Sequence, residues 1–212
     1  MTQREVEVRI RQEMINSLSH ALGILFGLIC IPILITQAVK NGSWAGTVGA
    51  SIYGLCFLMV FTSSTLYHGF QQQRIKRLMK IFDHISIFFL IAGTYTPFLL
   101  IYMNNNMGIT LLVVLWSLTF SGTIFKCFFT GRWEILSTII YLAMGWMLIV
   151  PGRDFFSNMP VSVIALILTG AGLYTVGVSF YIWEKRRYSH AVWHSFVLIA
   201  AICHYVAILI AV

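Results

Sequence analysis

Charge is what this sequence has least of. Asp, Glu, Lys and Arg together make up 10% of its 212 residues, where soluble domains carry about 25%. So few charges cannot clothe a water-soluble core, and a hydrophobic content of 58% points to an integral membrane protein. Cysteine is scarce as well: Cys30, Cys56, Cys127 and Cys203 include no close pair, which argues against a disulfide framework or a cysteine metal cluster and leaves packing thiols. Of the four prolines, Pro32 and Pro97 fall inside apolar runs and are expected to kink them, while Pro151 and Pro160 bracket one short connection. There is no glycine-rich loop of Walker or dinucleotide type, no serine–histidine–aspartate set apart from the histidines of the apolar runs, and no long repeat. No small-residue cleavage site follows a short apolar core near the start, so the first apolar run is expected to act as its own insertion signal.

What the chain has in abundance is apolar runs, near residues 17–39, 44–68, 83–102, 108–126, 134–151, 160–182 and 190–211. A spanning helix needs about 20 such residues, and these runs are too long for barrel strands, whose backbone groups would also need a closed sheet. The expected fold is an all-α bundle of seven transmembrane helices, forming one membrane domain over residues 17–212. Residues 1–16 precede it. There Val6, Ile10 and Met14 recur at four-residue steps among mixed charges, the pattern of a short amphipathic helix lying at the membrane surface.

A net charge of +7 raises the question of nucleic acid, and the distribution of the basic residues answers it. Arg4, Arg9 and Arg11 precede the first run; Arg74, Lys76, Arg77 and Lys80 separate the second and third; Lys126 and Arg132 flank the next alternate connection; Lys185, Arg186 and Arg187 precede the last run. Only Lys40 and Arg153 fall on the other side. The positive-inside rule then places the N-terminus in the cytoplasm and the C-terminus outside. The charge reports topology, and no nucleic-acid partner is expected.

With that topology, depth becomes readable. Ser64 and His68 lie near the cytoplasmic end of the second span, Asp83 near the cytoplasmic start of the third, and His190 and His194 at the cytoplasmic start of the seventh. Ser64 with His68, and His190 with His194, are four residues apart and share helix faces. Three neutral imidazoles with a polar neighbour are what a catalytic zinc site requires, three nitrogen ligands and one open position. Taken singly, each histidine also suits a hydrogen-bonded place near a basic, anionic-lipid-facing surface. Asp83 alone suits the first turn of a helix, and Ser64 alone suits helix packing. His204, ten residues beyond His194, lies about 15 Å deeper at 1.5 Å per residue, too far for the same ligand set, and is expected to hydrogen-bond between helices. His20 and His84 are candidates for supporting contacts only.

Ser64-x-x-x-His68, the stretch "DHISIFFLIAGTYTP" from Asp83 to Pro97, and His190-x-x-x-His194 followed by His204, in this order and spacing, resemble the hemolysin III family. That family belongs with the progestin and adipoQ receptors. "INSLSHALG" at residues 15–23 is similar to the opening signature of the bacterial branch. The resemblance runs over all seven spans. It implies a zinc ion held by His68, His190 and His194, with Asp83 and Ser64 beside the water that the zinc would hold, and a cell-membrane location, for the bacterial branch the plasma membrane.

The wider superfamily includes alkaline ceramidases, which implies a zinc-dependent hydrolase acting on an amide or ester of a membrane lipid. Asp83 would then accept and return a proton, and Ser64 would orient the water or bind the developing oxyanion. A non-enzymatic, lipid-responsive regulator of membrane homeostasis with a structural zinc is the second expectation. The family name implies a third, a cytolytic pore, but charged residues avoid the span interiors and no polar stripe is evident.

Overall fold

The computed structural model describes residues 2–183 and 188–212; the basic cluster Lys185, Arg186 and Arg187 lies outside them. Among the described residues every regular element is helical: α1 (Gln3–Lys40), α2 (Trp44–Gly69), α3 (Gln73–Tyr102), α4 (Asn106–Phe129), α5 (Glu134–Gly145), a 3-10 turn (Met147–Ile149), α6 (Arg153–Phe156), α7 (Val161–Ile182) and α8 (Ser189–Ala211). Six of these, α1, α2, α3, α4, α7 and α8, are long and apolar enough to cross a membrane.

The N-terminal amphipathic segment and the first apolar run form one uninterrupted helix. Its start is fixed by a capping box in which the Thr2 side chain accepts from the Glu5 backbone N–H and the Glu5 carboxylate accepts from that of Thr2. Its buried positions are Asn16, His20, Gly23, Gly27, Ile31, Leu34 and Ala38, steps of three and four that make one continuous stripe. Opposite that stripe Leu18, Leu22, Leu25 and Leu28 are exposed, as a lipid-facing side would be. The helix also continues through Pro32. α3 likewise begins at Gln73, ten residues before its apolar run, because Arg74, Lys76, Arg77 and Lys80 stand among good helix formers and extend the helix.

α1 packs on α2, α2 on α3, α3 on α4, α7 on α8, and α8 returns to α1. In lipid, helices gain little from burying apolar surface against one another and associate through close packing and hydrogen bonds. Both devices are present. A Cβ on Gly49 of α2 would lie 2.5 Å from the backbone Cα of Pro97 on α3, so the two backbones touch there. Tyr53 of α2 donates to the Ala201 carbonyl of α8 at 2.7 Å, and Tyr205 of α8 donates to the Cys30 carbonyl of α1 at 3.0 Å.

The fifth apolar run departs from expectation. Instead of a single helix over 134–151, α5 stops at Gly145 and tightens into the 3-10 turn. The Tyr95 hydroxyl makes that break tolerable, donating to the Gly145 carbonyl at 2.6 Å and accepting from the Leu148 N–H at 3.1 Å, so that neither backbone group is left unpaired in an apolar setting. The connection between Pro151 and Pro160 contains the four-residue helix α6. All four cysteines are free.

Candidate metal centre

Ser64 and His68 sit one turn apart near the end of α2 and are both buried. On α8, His190 and His194 are likewise one turn apart, in the first two turns of the helix. Packing brings the two faces together: one ligand nitrogen from each of His68, His190 and His194 lies within 4.8 Å of the others. His68 Nε2 and His194 Nε2 are 3.1 Å apart. Two nitrogens bound at 2.0–2.1 Å to one tetrahedral ion would be about 3.3 Å apart, so the spacing fits two donors of a common centre. The cluster could hold a metal ion.

Around it lies a cavity of about 120 Å³, lined among others by Ser64, Asp83, His190, His194, His20 and Tyr67. Asp83 of α3 therefore faces the same space as the α2 serine and the α8 histidines. Both ring nitrogens of His20 and Nδ1 of His194 are buried with no hydrogen-bond partner among the described residues, and the buried Ser64 hydroxyl stands beside the Asp83 carboxylate. Buried polar atoms are nearly always paired, and their concentration here marks a site built to meet a polar guest. The donor chemistry, three imidazoles with a carboxylate and a hydroxyl beside them, matches an ion with an open position.

His20, expected at most to support the ligands, is 2% exposed and its ring packs edge-on against His194 with centroids 3.9 Å apart. His204 stands apart, on the α7 side of α8, with Nε2 3.2 Å from the Ile167 carbonyl. His84 turns to α5, its Nδ1 3.2 Å from Glu134 Oε2.

Two carboxylates that the sequence reading passed over are tied to this end of the bundle. Glu13 of α1 places Oε2 2.8 Å from His68 Nδ1 and Oε1 2.7 Å from Lys76 Nζ. Glu134, at the first turn of α5, lies 2.8 Å from Lys126 Nζ and 3.6 Å from Lys80 Nζ and lines the cavity with Lys80 and His84. Lys126 has no solvent exposure at all, so Glu134 is its counter-charge.

A second cavity, also about 120 Å³, adjoins the first and is almost wholly apolar, with Ile91, Phe98, Leu142 and Phe155 in its walls. Val60, Ile87, Tyr181, Trp193 and Val197 line both, so a polar chamber with the histidines opens beside a greasy one.

The chain is similar to known proteins over most of its length. Residues 8–205 match the family model described as Haemolysin-III related. The Hemolysin-3 homolog of Bacillus subtilis (strain 168) is 41% identical over 189 residues, covering 89% of each chain, and Hemolysin-3 of Bacillus cereus is 39% identical over 189 residues, covering 89% of this chain and 86% of its own. The human monocyte to macrophage differentiation factor is 25% identical over 199 residues, 91% of this chain and 81% of that one, which fits the progestin and adipoQ receptor superfamily. With nearly its whole length matched, and with the helices of a multi-pass membrane protein, the chain belongs to the Haemolysin-III related family.

Proposed function

We propose that this protein is a zinc-dependent hydrolase of an amide or ester bond in a membrane lipid, embedded in the cell membrane by seven crossings with its N-terminus in the cytoplasm and its C-terminus outside. The observation that carries the reading is the convergence of His68, His190 and His194 on a cavity shared with Asp83 and Ser64 that opens beside an apolar chamber. A lipid fits such a pair of chambers: its aliphatic chain against Ile91, Phe98 and Leu142, its carbonyl group toward the histidines. The fifth crossing is α5 with its 3-10 turn, shorter than the other six.

Three imidazoles and no thiolate suit zinc, which tolerates the tetrahedral geometry and carries no redox chemistry. When bound, it would supply a Lewis acid for the carbonyl and make water a competent nucleophile near neutral pH. The remaining work falls to the chain. The Asp83 carboxylate accepts a proton as water adds to the carbonyl carbon, then delivers it to the leaving nitrogen or oxygen as the C–N or C–O bond breaks. The products are a carboxylic acid and an amine or alcohol. The Ser64 hydroxyl beside Asp83 and the His20 ring, buried in the cavity without a hydrogen-bond partner, offer hydrogen bonds to the water or to the oxygen on which charge develops.

One feature favours a second reading. His68 joins α2 to the α8 pair, as a structural zinc would, and a lipid-responsive regulator needs no more. Asp83 and Ser64 have no part in such a staple, which is why hydrolysis is preferred. Pore formation, suggested by the name of the Bacillus cereus relative, finds less support, because the partly buried ion pairs of Glu13 and Glu134 gather at the histidine end of the bundle. The test is purified protein reconstituted with N-acyl and O-acyl lipids. Hydrolysis abolished by chelator and by His190→Ala supports the enzyme; no release of acid from any lipid contradicts it.

A further inference from the structure

We infer that Glu13 is a positioning residue of the metal centre: its carboxylate fixes the His68 ring with the proton on Nδ1, leaving the Nε2 lone pair for the ion. The inference rests on the zinc reading and extends it to a residue outside the ligand set.

Glu13 lies on α1, 55 residues before His68, yet its Oε2 is 2.8 Å from His68 Nδ1. An ionised carboxylate only accepts hydrogen bonds, so Nδ1 carries the hydrogen of that contact, and a neutral imidazole has only one N–H. The unprotonated nitrogen is then Nε2, the atom that sits 3.1 Å from His194 Nε2 within the donor cluster. Neutral imidazole side chains otherwise favour the opposite tautomer, so without Glu13 the ring would tend to present an N–H to the ion. A carboxylate on the far nitrogen of a ligating histidine sets the tautomer, holds the ring plane and raises ligand basicity.

The two carboxylate oxygens have different partners. Oε2 meets His68, while Oε1 is 2.7 Å from Lys76 Nζ on α3, and both charged side chains are largely shielded, at 15% and 12% exposure. Lys76 therefore ties α3 to the oxygen that does not meet the ring, and the contact with His68 is made by Oε2 alone. His194 has no such support on its Nδ1 among the described residues. The arrangement gives the N-terminal extension of α1 a task that its amphipathic pattern does not disclose: it delivers the group that orients the α2 ligand.

The test has two arms on the full-length protein in detergent. In metal-stripped protein at mildly alkaline pH, 15N NMR of labelled histidines, with His68 assigned by its loss in His68→Asn, should show the Nδ1–H tautomer in the parent and a shift toward Nε2–H in Glu13→Ala. In the second arm, zinc affinity by chelator competition should fall about 10–100-fold in Glu13→Ala, much less in Glu13→Gln, whose amide oxygen still accepts from Nδ1, and not in Lys76→Gln, which breaks only the α1–α3 pair. An Nε2–H tautomer in the parent overturns the inference without any variant. Equal affinity of parent and Glu13→Ala overturns it too, and equal losses in Lys76→Gln and Glu13→Ala would assign the effect to the helix tether. A parent with the Nδ1–H tautomer that binds no zinc would overturn both the zinc reading and this role of Glu13, while leaving the hydrogen bond itself established.

Discussion

The Nε2 atoms of His68 and His194 lie 3.1 Å apart across 126 residues of sequence. Two bare nitrogens, each with a lone pair or a hydrogen, gain little from such an approach unless one donates to the other or an ion joins them. Their helices are held in register elsewhere: Tyr53 of α2 bonds α8 at the Ala201 carbonyl, and Tyr205 of α8 bonds α1 at the Cys30 carbonyl. The histidines are therefore presented by a scaffold braced at a distance, which is how a ligand set is kept pre-organised.

The first expectation is metal content. Elemental analysis of purified protein should find about one zinc per chain, and His190→Ala or His194→Ala should lose most of it, because a three-ligand site has little redundancy. Chelation should lower the melting temperature of the parent and leave that of His194→Ala unchanged, since the ion binds only the folded state. Full zinc in the double variant would remove the centre.

Topology gives a second expectation. A reporter fused after Val212 should be active outside the cytoplasm, and one inserted within residues 71–80 should be active inside it. Both reporters on one side would mean an even number of crossings, with the short α5 segment failing to span.

Packing gives a third. Gly49→Ala must push its new methyl against the Pro97 backbone, 2.5 Å away, whereas Gly172→Ala meets nothing within 4 Å. Overpacking of this kind costs roughly 1–3 kcal/mol. Thermal scans should show a clear loss for Gly49→Ala and almost none for Gly172→Ala; equal behaviour would mean that α2 and α3 do not touch there.

Glu134 supplies a fourth. Glu134→Ala leaves the fully buried Lys126 without its partner at 2.8 Å, a loss on the order of 3–5 kcal/mol for a buried charge stripped of its counter-charge. Replacing both, in Glu134→Ala with Lys126→Met, should recover part of the melting temperature. A double variant no better than the single would show that Lys126 is satisfied by something else.

How much of this was legible beforehand depended on where each residue sits. His68, His190 and His194 stood out because imidazoles in apolar runs are costly, and their four-residue spacing and common depth could be read directly. Glu13 did not, because a glutamate in a mixed-charge helix looks solvated. The available signal was that Glu13, Asn16 and His20 extend backwards, in steps of three and four, the stripe that continues through Gly23 and Gly27. Lys126, at the end of an apolar run, has the pattern of a loop charge reporting topology, and the sequence holds no mark of its burial against Glu134. The end of α5 was hidden for a different reason: the apolar pattern runs on past Gly145, and the hydroxyl that satisfies the broken backbone belongs to Tyr95, 50 residues away.

Asp83 faces the histidine cavity without belonging to the ligand set. Asp83→Asn keeps every ligand and nearly the same shape but cannot take a proton from water. The most direct measurement is therefore the rate of acyl-lipid hydrolysis by parent and Asp83→Asn protein in reconstituted membranes, with zinc content determined on the same samples. A catalytic Asp83 gives unchanged zinc and a rate lower by roughly 10²–10⁴-fold. Turnover by Asp83→Asn equal to the parent, or parent turnover that survives chelation, would contradict it.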